Sequence, residues 1–498
     1  MKKNFIIALL MIHNCSMAQN QNSIWIFGDS AGVDFSNISN PVPVNSTMRG
    51  RGSCASISDS MGNLQFYAYT IVNTSDTSTH VNNNQNQLIL NGDHIVGSGF
   101  YNELITLPMP DSTGKYYLFS SSLPAMQGLY YSIIDMNSNG GLGSVTQKNV
   151  LLNNISSIDG ITAIKHGNGR DWWVISKPEG YMSPSNNDFY IYLITPYSIS
   201  PLPIQSIGYV ITTNAGCISF NKQGDKLLMT DWRNLIELFN FDRCTGQLSN
   251  SVIVEPEHIE SGEHFSSCFS PDGSKIYITR ALGGAGQEDS WLYQYNLNAV
   301  NIAASRDTIY HPIAPEQGGT IRLAPDDKVY ISFGYYAYYF PFPDSMYYTG
   351  NMNLSVINRP DSLGDSCLFT PYSFYLGGKR TYYGLPNNPD YELGALIGSG
   401  CDSLVGVQSI KYDESRGDLH VFYHSGWQIA FINAEGLKGK KFSLAVFDLT
   451  GRQVFKETGK LSSSYFTKDL RCEQFANGMY VVTMSTEKEI LSKKFIKE

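Results

Sequence analysis

Cys268-Phe269-Ser270-Pro271-Asp272-Gly273-Ser274-Lys275-Ile276-Tyr277-Ile278 reads as two short apolar strands joined by a turn. Pro271 presets the backbone for the first turn position, Asp272 holds local amides, and Gly273 accepts a left-handed residue without steric cost. A tight hairpin follows. Weaker copies run from Ile218 to Leu228 and from Ile321 to Tyr330, and earlier ones start at Ile57, Met109 and Ile164. A degenerate seventh is Phe374-Tyr375-Leu376-Gly377-Gly378-Lys379-Arg380. With residues 57, 109, 164, 220, 269, 323 and 374 as phase markers, the intervals are 52, 55, 56, 49, 54 and 51. A period of about fifty residues is the size of one four-stranded propeller blade. Long helical periodicity is absent.

The predicted fold is therefore all-β: a seven-bladed β-propeller over residues 19–400, followed by a small immunoglobulin-like β-sandwich over residues 410–498. The stretch from Ile24 to Phe35 resembles an outer strand but has no hairpin copy before it. It is expected to complete the last blade, pairing chain start with chain end and removing exposed edges. From about residue 410 the repeat gives way to short strands such as Leu419 to Tyr423, Phe442 to Phe447 and Met479 to Met484, with sharp turns at Thr450-Gly451 and Asn477-Gly478.

Residues 1–18 read as a signal peptide: Lys2 and Lys3, an apolar run from Phe5 to Ile12, then Ser16-Met17-Ala18. No later stretch approaches the roughly eighteen apolar residues of a spanning helix, so no transmembrane segment is expected in the mature chain. The formal charge of −9 becomes −11 when Lys2 and Lys3 are removed. Residues 410–498 hold 14 basic and 11 acidic side chains, which leaves −14 on residues 19–409. That balance argues against nucleic acid and anionic membrane as partners, and the shift marks a boundary near residue 400. Seven cysteines remain after cleavage, an odd number that excludes a framework made only of disulfides. Cys367 with Cys401 is the expected bridge.

The repeat carried by Phe269-Ser270-Pro271-Asp272-Gly273 resembles the Trp-Asp-like repeats of periplasmic and surface propellers, over about residues 24–386. Trp25-Ile26-Phe27-Gly28-Asp29, with Ile57-Ser58-Asp59 and Gly384-Leu385-Pro386-Asn387, is similar to propellers of gliding, surface-active bacteria. That group transfers no ligand. Near the end come Val446-Phe447-Asp448-Leu449-Thr450-Gly451-Arg452, then Asn477-Gly478-Met479-Tyr480, then Lys493-Lys494-Phe495-Ile496-Lys497. This order resembles the type A sorting domain of type IX secretion cargo, although the Pro-Asn-Pro box that commonly opens it is replaced by Ile410-Lys411-Tyr412-Asp413. The resemblance implies export through the periplasm, with Asp448, Gly451, Gly478, Tyr480 and Lys494 as motif residues. It implies the type IX machinery as a partner and a secreted or outer-surface location.

Chemistry is less legible. Glu255 to His264 is the densest acid and histidine stretch, but its spacing fits no zinc motif, and no metal or cofactor is expected. No Gly-x-Ser-x-Gly elbow occurs, and no catalytic residue is assigned. Tyr335, Tyr336, Tyr338 and Tyr339 interrupt the sixth repeat as candidate ligand contacts, since aromatic rings stack on sugars and anchor protein partners at small entropic cost. Two classes stay open. One is a non-catalytic module binding a surface protein or glycan. The other is an extracellular hydrolase or lyase acting on polysaccharide or peptide from the propeller channel.

Overall fold

The computed structural model describes residues 20–72, 77–122, 128–181, 184–258, 263–281, 289–313, 316–335, 349–402, 417–424, 428–461 and 464–497. The chain forms two compact units, Met1–Val405 and Gly406–Glu498. No helix among the described residues is long and apolar enough to cross a membrane.

The first unit is seven small antiparallel sheets in sequence, over residues 24–49, 54–83, 104–153, 157–211, 216–255, 263–310 and 316–375. The innermost strands are Ile24–Phe27, Cys54–Ser58, Leu104–Pro108, Ser157–Lys165, Gly216–Phe220, Glu263–Phe269 and Glu316–Leu323. Inner strands meet their neighbours through small polar side chains. The Ser56 hydroxyl donates to the Ile24 carbonyl at 2.8 Å; from the second strands of the fifth and sixth sheets, Thr230 Oγ1 lies 3.0 Å from Ser267 Oγ and Thr279 donates to the Gly319 carbonyl at 2.8 Å. Only small residues let inner strands approach so closely at the axis of a propeller.

The quoted hairpin pairs Cys268 with Tyr277 and Phe269 with Ile276. Its turn closes by Gly273 N donating to Ser270 O at 2.9 Å, with Gly273 at φ 70°. The same bond joins Gly62 to Asp59, Gly169 to His166, Gly224 to Asn221 and Asp327 to Ala324. The six markers from residue 57 to residue 323 all fall at the end of an inner strand or just after it. The seventh marker does not. Residue 374 lies in Phe369–Tyr375, the outermost strand of the last sheet. Gly377 and Gly378 there build a turn of the same chemistry, with Lys379 N on Leu376 O at 3.1 Å. The missing inner hairpin is Ile24–Phe27 against Asp29–Asp34, turning at Gly28. A Cβ on Gly28 would lie 2.7 Å from the Arg380 carbonyl oxygen.

The chain start therefore does not complete the last sheet: residues 24–49 form a separate three-stranded sheet. The ring closes by packing. Tyr330 of the seventh sheet meets Trp25 and Phe35 of the first edge to face, at 6.1 and 5.4 Å. Buried Arg380 adds a salt bridge to Asp29 at 2.8 Å and a backbone bridge to the same residue.

Cys401 is bonded to Cys244, not to Cys367, which is buried and free. The Cys244–Cys401 bridge ties the hairpin face of the fifth sheet to the end of the segment after the last blade.

The second unit has two sheets. Asp418–His424, Ile429–Glu435 and Phe466–Arg471 form one, and Lys441–Asp448, Gln453–Lys460, Gly478–Thr486 and Ile490–Lys497 the other. Ile432, Leu444, Val446, Val482, Met484 and Phe495 share its core, as the inward faces of a sandwich require.

The disulfide closes a separation of 157 residues, and cross-links of that length stabilise by about 2 to 5 kcal/mol through the unfolded chain. Cys244→Ser with Cys401→Ser is expected to lower the thermal midpoint of the full chain, and reductant should lower the wild type to the same value. A midpoint indifferent to both would show that the bridge carries no stability.

Candidate functional site

In a propeller the channel is where inner strands can converge their side chains on a ligand. Here the chain itself runs through it. Residues 380–402, termed the strap, leave the seventh sheet and run along the axis. Thr320 N donates to Tyr383 O at 2.8 Å, Tyr383 N to Arg51 O at 3.3 Å and Asn387 N to Cys54 O at 3.0 Å. Gly384 is needed where the strap crosses Gly52, since a Cβ there would overlap the Gly52 carbonyl oxygen. The Asn387 amide nitrogen reaches the carbonyls of Ile161, Leu104 and Asn102 at 2.9, 3.2 and 3.4 Å. Arg322 lies beside it, donating to Pro386 O at 3.2 Å, to Ser266 Oγ at 3.4 Å and to the Asn102 side chain. Further along, the Tyr391 hydroxyl donates to Thr106 O at 2.9 Å. The strap then crosses the hairpin face, where Arg243 holds Gly394 O at 2.6 Å, and ends in the disulfide.

Aromatic rings shut the opposite mouth. Tyr101, from the approach to the third sheet, and Phe265, from the inner strand of the sixth, meet at 4.6 Å, and strap residue Tyr383 packs on both at 5.9 and 5.5 Å. Trp232 stacks on Phe265 at 6.4 Å, and Arg51 lies 5.7 Å over Tyr101.

Acids beneath this mouth are consumed by the backbone. Glu103 Oε1 accepts from Gly99 N at 2.6 Å, Ser98 N at 3.0 Å and the Thr70 hydroxyl at 3.1 Å. Asp159 accepts from Tyr101 N at 2.8 Å and Asn102 N at 3.0 Å. Burial, and then the Asp159 carboxylate, push Glu103 up to about 8. Burial also raises Asp159. Asp231 Oδ1 accepts from Arg233 N and Leu235 N, and Glu257 holds the Thr212 amide and hydroxyl. Burial raises Asp231, with Glu257 nearby.

At the hairpin end a pocket of about 150 Å³ remains, lined by Phe220, Lys222, Asp327, Asp390 and Glu392 among others. Lys222 is paired with Asp327 across its rim. Burial raises both Asp390 and Glu392, against the opposing pull of Lys222.

Tyr335 ends the strand Val329–Tyr335, its backbone paired with Glu316. Tyr336, Tyr338 and Tyr339 lie outside the described residues. The stretch from Glu255 to His264 is dispersed where it is described. Glu255 accepts from the Tyr295 hydroxyl at 2.9 Å, and the buried His264 ring is pushed down to about 3 by burial. Among the described residues no three His, Cys, Asp or Glu side chains form a metal-ligand set. Nothing local in the sequence assigns the strap its role, although Gly384-Leu385-Pro386-Asn387 belongs to the run shared with surface propellers.

In the second unit the motif residues build turns and core. Asp448 Oδ1 accepts from Thr450 Oγ1 at 2.6 Å and from Thr450 N and Arg452 N at 3.0 Å, which holds its carboxyl below the usual range. Gly451 takes φ 78° in that turn. Gly478 opens a strand, and Tyr480 stacks on Phe495 at 5.3 Å while donating to Ala476 O at 2.6 Å. Lys494 points outward on the last strand, which pairs it with Val481. Lys497, the last residue of the terminal motif run, buries its ammonium on the carbonyls of Phe475 and Cys472 at 2.7 and 2.8 Å.

Residues 428–498 match the family model of the secretion system C-terminal sorting domain. The chain carries a type IX secretion sorting domain. Its route leads to the cell surface or the extracellular space. No curated protein matches it. Among solved structures it is similar to a Bacteroides fragilis protein assigned as a 6-phosphogluconolactonase, at 10% identity and TM-score 0.43, over 74% of this chain and 97% of that one. It is similar to PorZ, a surface component of the type IX secretion system of Porphyromonas gingivalis, at 11% identity and TM-score 0.30, over 96% and 75%. The β-propeller domain of Cps50 (Swd1) from Myceliophteria thermophila gives 10% identity and TM-score 0.33, over 64% and 94%. Likenesses so distant carry nothing about activity.

Glu103 of this chain makes a pH prediction. Its folded value lies above the ordinary 4.5, so the folded chain holds that proton more tightly than the unfolded chain. This contribution is full below about 4.5 and is lost as pH rises to about 8. Glu103→Gln, which keeps an acceptor for Gly99 N, should flatten the fall in melting temperature across that window; an unchanged slope would assign it elsewhere. For export, residues 401–498 fused behind a reporter with a signal peptide should reach the medium or surface only in cells with the type IX machinery. Equal export without it would contradict the assignment.

Proposed function

We propose that this cargo acts outside the cell as a non-catalytic binding module, capturing a surface protein or glycan. In this reading residues 1–18 are a removed signal peptide, residues 19–400 the binding body, and residues 410–498 the export module. The observation that supports it is the strap. A propeller enzyme acting from its channel needs ionisable groups converging on a space that substrate can enter. Here the strap leaves a pocket of about 150 Å³ between Asn387, Arg322 and Tyr391, small for a ligand site, and Glu103 and Asp159 spend their lone pairs on backbone amides. Tyr335, Tyr336, Tyr338 and Tyr339 remain the proposed ligand contacts.

The test uses the full secreted chain, offered immobilised surface polysaccharides and cell-surface proteins, with release of product followed in parallel. The expected result is saturable binding without turnover, weakened by Tyr338→Ala with Tyr339→Ala. Hydrolysis or elimination of a polysaccharide or peptide substrate, abolished by Glu103→Gln or Asp231→Asn, would make the chain an enzyme and overturn the reading.

A further inference from the structure

The first and second sheets have three strands each, and a groove of about 400 Å³ opens along residues of both. That volume is in the range of small-molecule sites. Ile24, Val44 and Leu64 give its apolar lining. Its polar lining is unusual in kind: three amides, from Asn45, Asn63 and Asn84, with the Asp34 carboxylate and the Ser36 hydroxyl.

The amides differ in what they are free to do. The loop Asn82-Asn83-Asn84-Gln85-Asn86-Gln87 is held by three of its own side chains. Asn82 donates to Thr47 Oγ1 at 3.3 Å, Asn83 Oδ1 accepts from Gln85 N and Gln87 N at 3.0 Å, and Asn86 Oδ1 accepts from the Tyr67 hydroxyl at 2.8 Å. Asn63 is tied to Asp59 at 3.1 Å. Asn84 and, across the groove, Asn45 are exposed and make no side-chain hydrogen bond with any described residue. An amide offers a donor and an acceptor on one planar group, which matches a pair of neighbouring sugar hydroxyls, and a carboxylate accepts from two more. Ile24, Val44 and Leu64 suit the C–H face of a sugar ring. Among the described residues no Lys or Arg lines the groove, so a sulfated or uronic polymer would meet Asp34 without a counter-charge from them.

An extended peptide fits less well. The strand Val42–Arg49 is the outer edge of the first sheet, where a peptide could add as a further strand. Pro43 has no N–H to offer. Thr47 N is taken by Asn86 Oδ1 at 3.2 Å, and Met48 N by Ser46 Oγ at 3.2 Å.

We propose that this groove binds a neutral, hydroxyl-rich saccharide, with Asn45 and Asn84 as its hydrogen-bonding contacts. The proposal rests on the binding-module reading and narrows it to one ligand class and one place. Isothermal titration of the full secreted chain with cellotetraose, xylotetraose, mannotetraose, laminaritetraose and chitotetraose tests it. At least one should bind saturably, and Asn45→Ala with Asn84→Ala should weaken it by about tenfold or more, since two hydrogen-bonding groups are lost. The thermal midpoint should not move, because both side chains are exposed. Three results overturn the proposal: no tetrasaccharide binding, binding that ignores the double variant, or equal binding of an unrelated tetrapeptide with the same dependence on Asn45 and Asn84. Saccharide binding lost only in the Tyr338→Ala, Tyr339→Ala variant would overturn the groove and leave the binding-module reading standing, whereas turnover of any tetrasaccharide would end that reading itself.

Discussion

A ring of sheets leaves its inner strands facing one another across an axis, and their backbone groups there need partners. A buried polar group left unpaired costs about 1 to 3 kcal/mol. The strap answers that need. One side chain, Asn387, joins carbonyls of the third and fourth sheets, while the backbone of Tyr383 and Asn387 joins the seventh sheet to the second. The rest of the first unit depends on this passage: Gly28 is a glycine because the strap lies against it, Gly384 because the strap there lies against Gly52, and the aromatic mouth closes because the strap delivers Tyr383 to it.

A strap along the axis moves recognition outward. The polar groups near the channel are committed to the fold, Glu103 and Asp159 to loop amides and Arg322 to neutral acceptors. What remains uncommitted lies at the ends and edges of sheets, in the hairpin-face pocket and in the groove of the first two sheets. The sorting unit follows a different logic: its motif residues are spent on its own turns, Asp448 on Thr450 and Arg452 and Tyr480 on Phe495, so the motif specifies a small stable sandwich.

The inner hairpins were legible because a turn closed between residues three apart is local chemistry, readable wherever Gly, Asp or Asn supplies it. The same locality misled at Gly377-Gly378, which makes that turn in a different place, and hid the first sheet, whose Gly28 turn is shaped by a segment some 350 residues away. The disulfide was illegible for a related reason. Nothing near Cys401 distinguishes Cys244 from Cys367 as its partner, since the choice is made by where the strap emerges. Asp448, Gly451 and Tyr480 were readable because their roles are local too. Of the tyrosines singled out from sequence, only Tyr335 falls on a described strand, and the buried role of Lys497 was illegible because its partners, the carbonyls of Phe475 and Cys472, belong to a turn some two dozen residues earlier.

The five other described cysteines, Cys54, Cys217, Cys268, Cys367 and Cys472, are free and buried. Burial pushes the Cys54 thiol up to about 12 and raises Cys268 still further, which deprives both of the thiolate that disulfide exchange requires. In the unfolded chain those thiols compete with Cys244 and Cys401 on equal terms. The order of events in the oxidising compartment thus decides the product: a chain that assembles its inner strands first leaves a single exchangeable pair, and one oxidised before assembly scrambles.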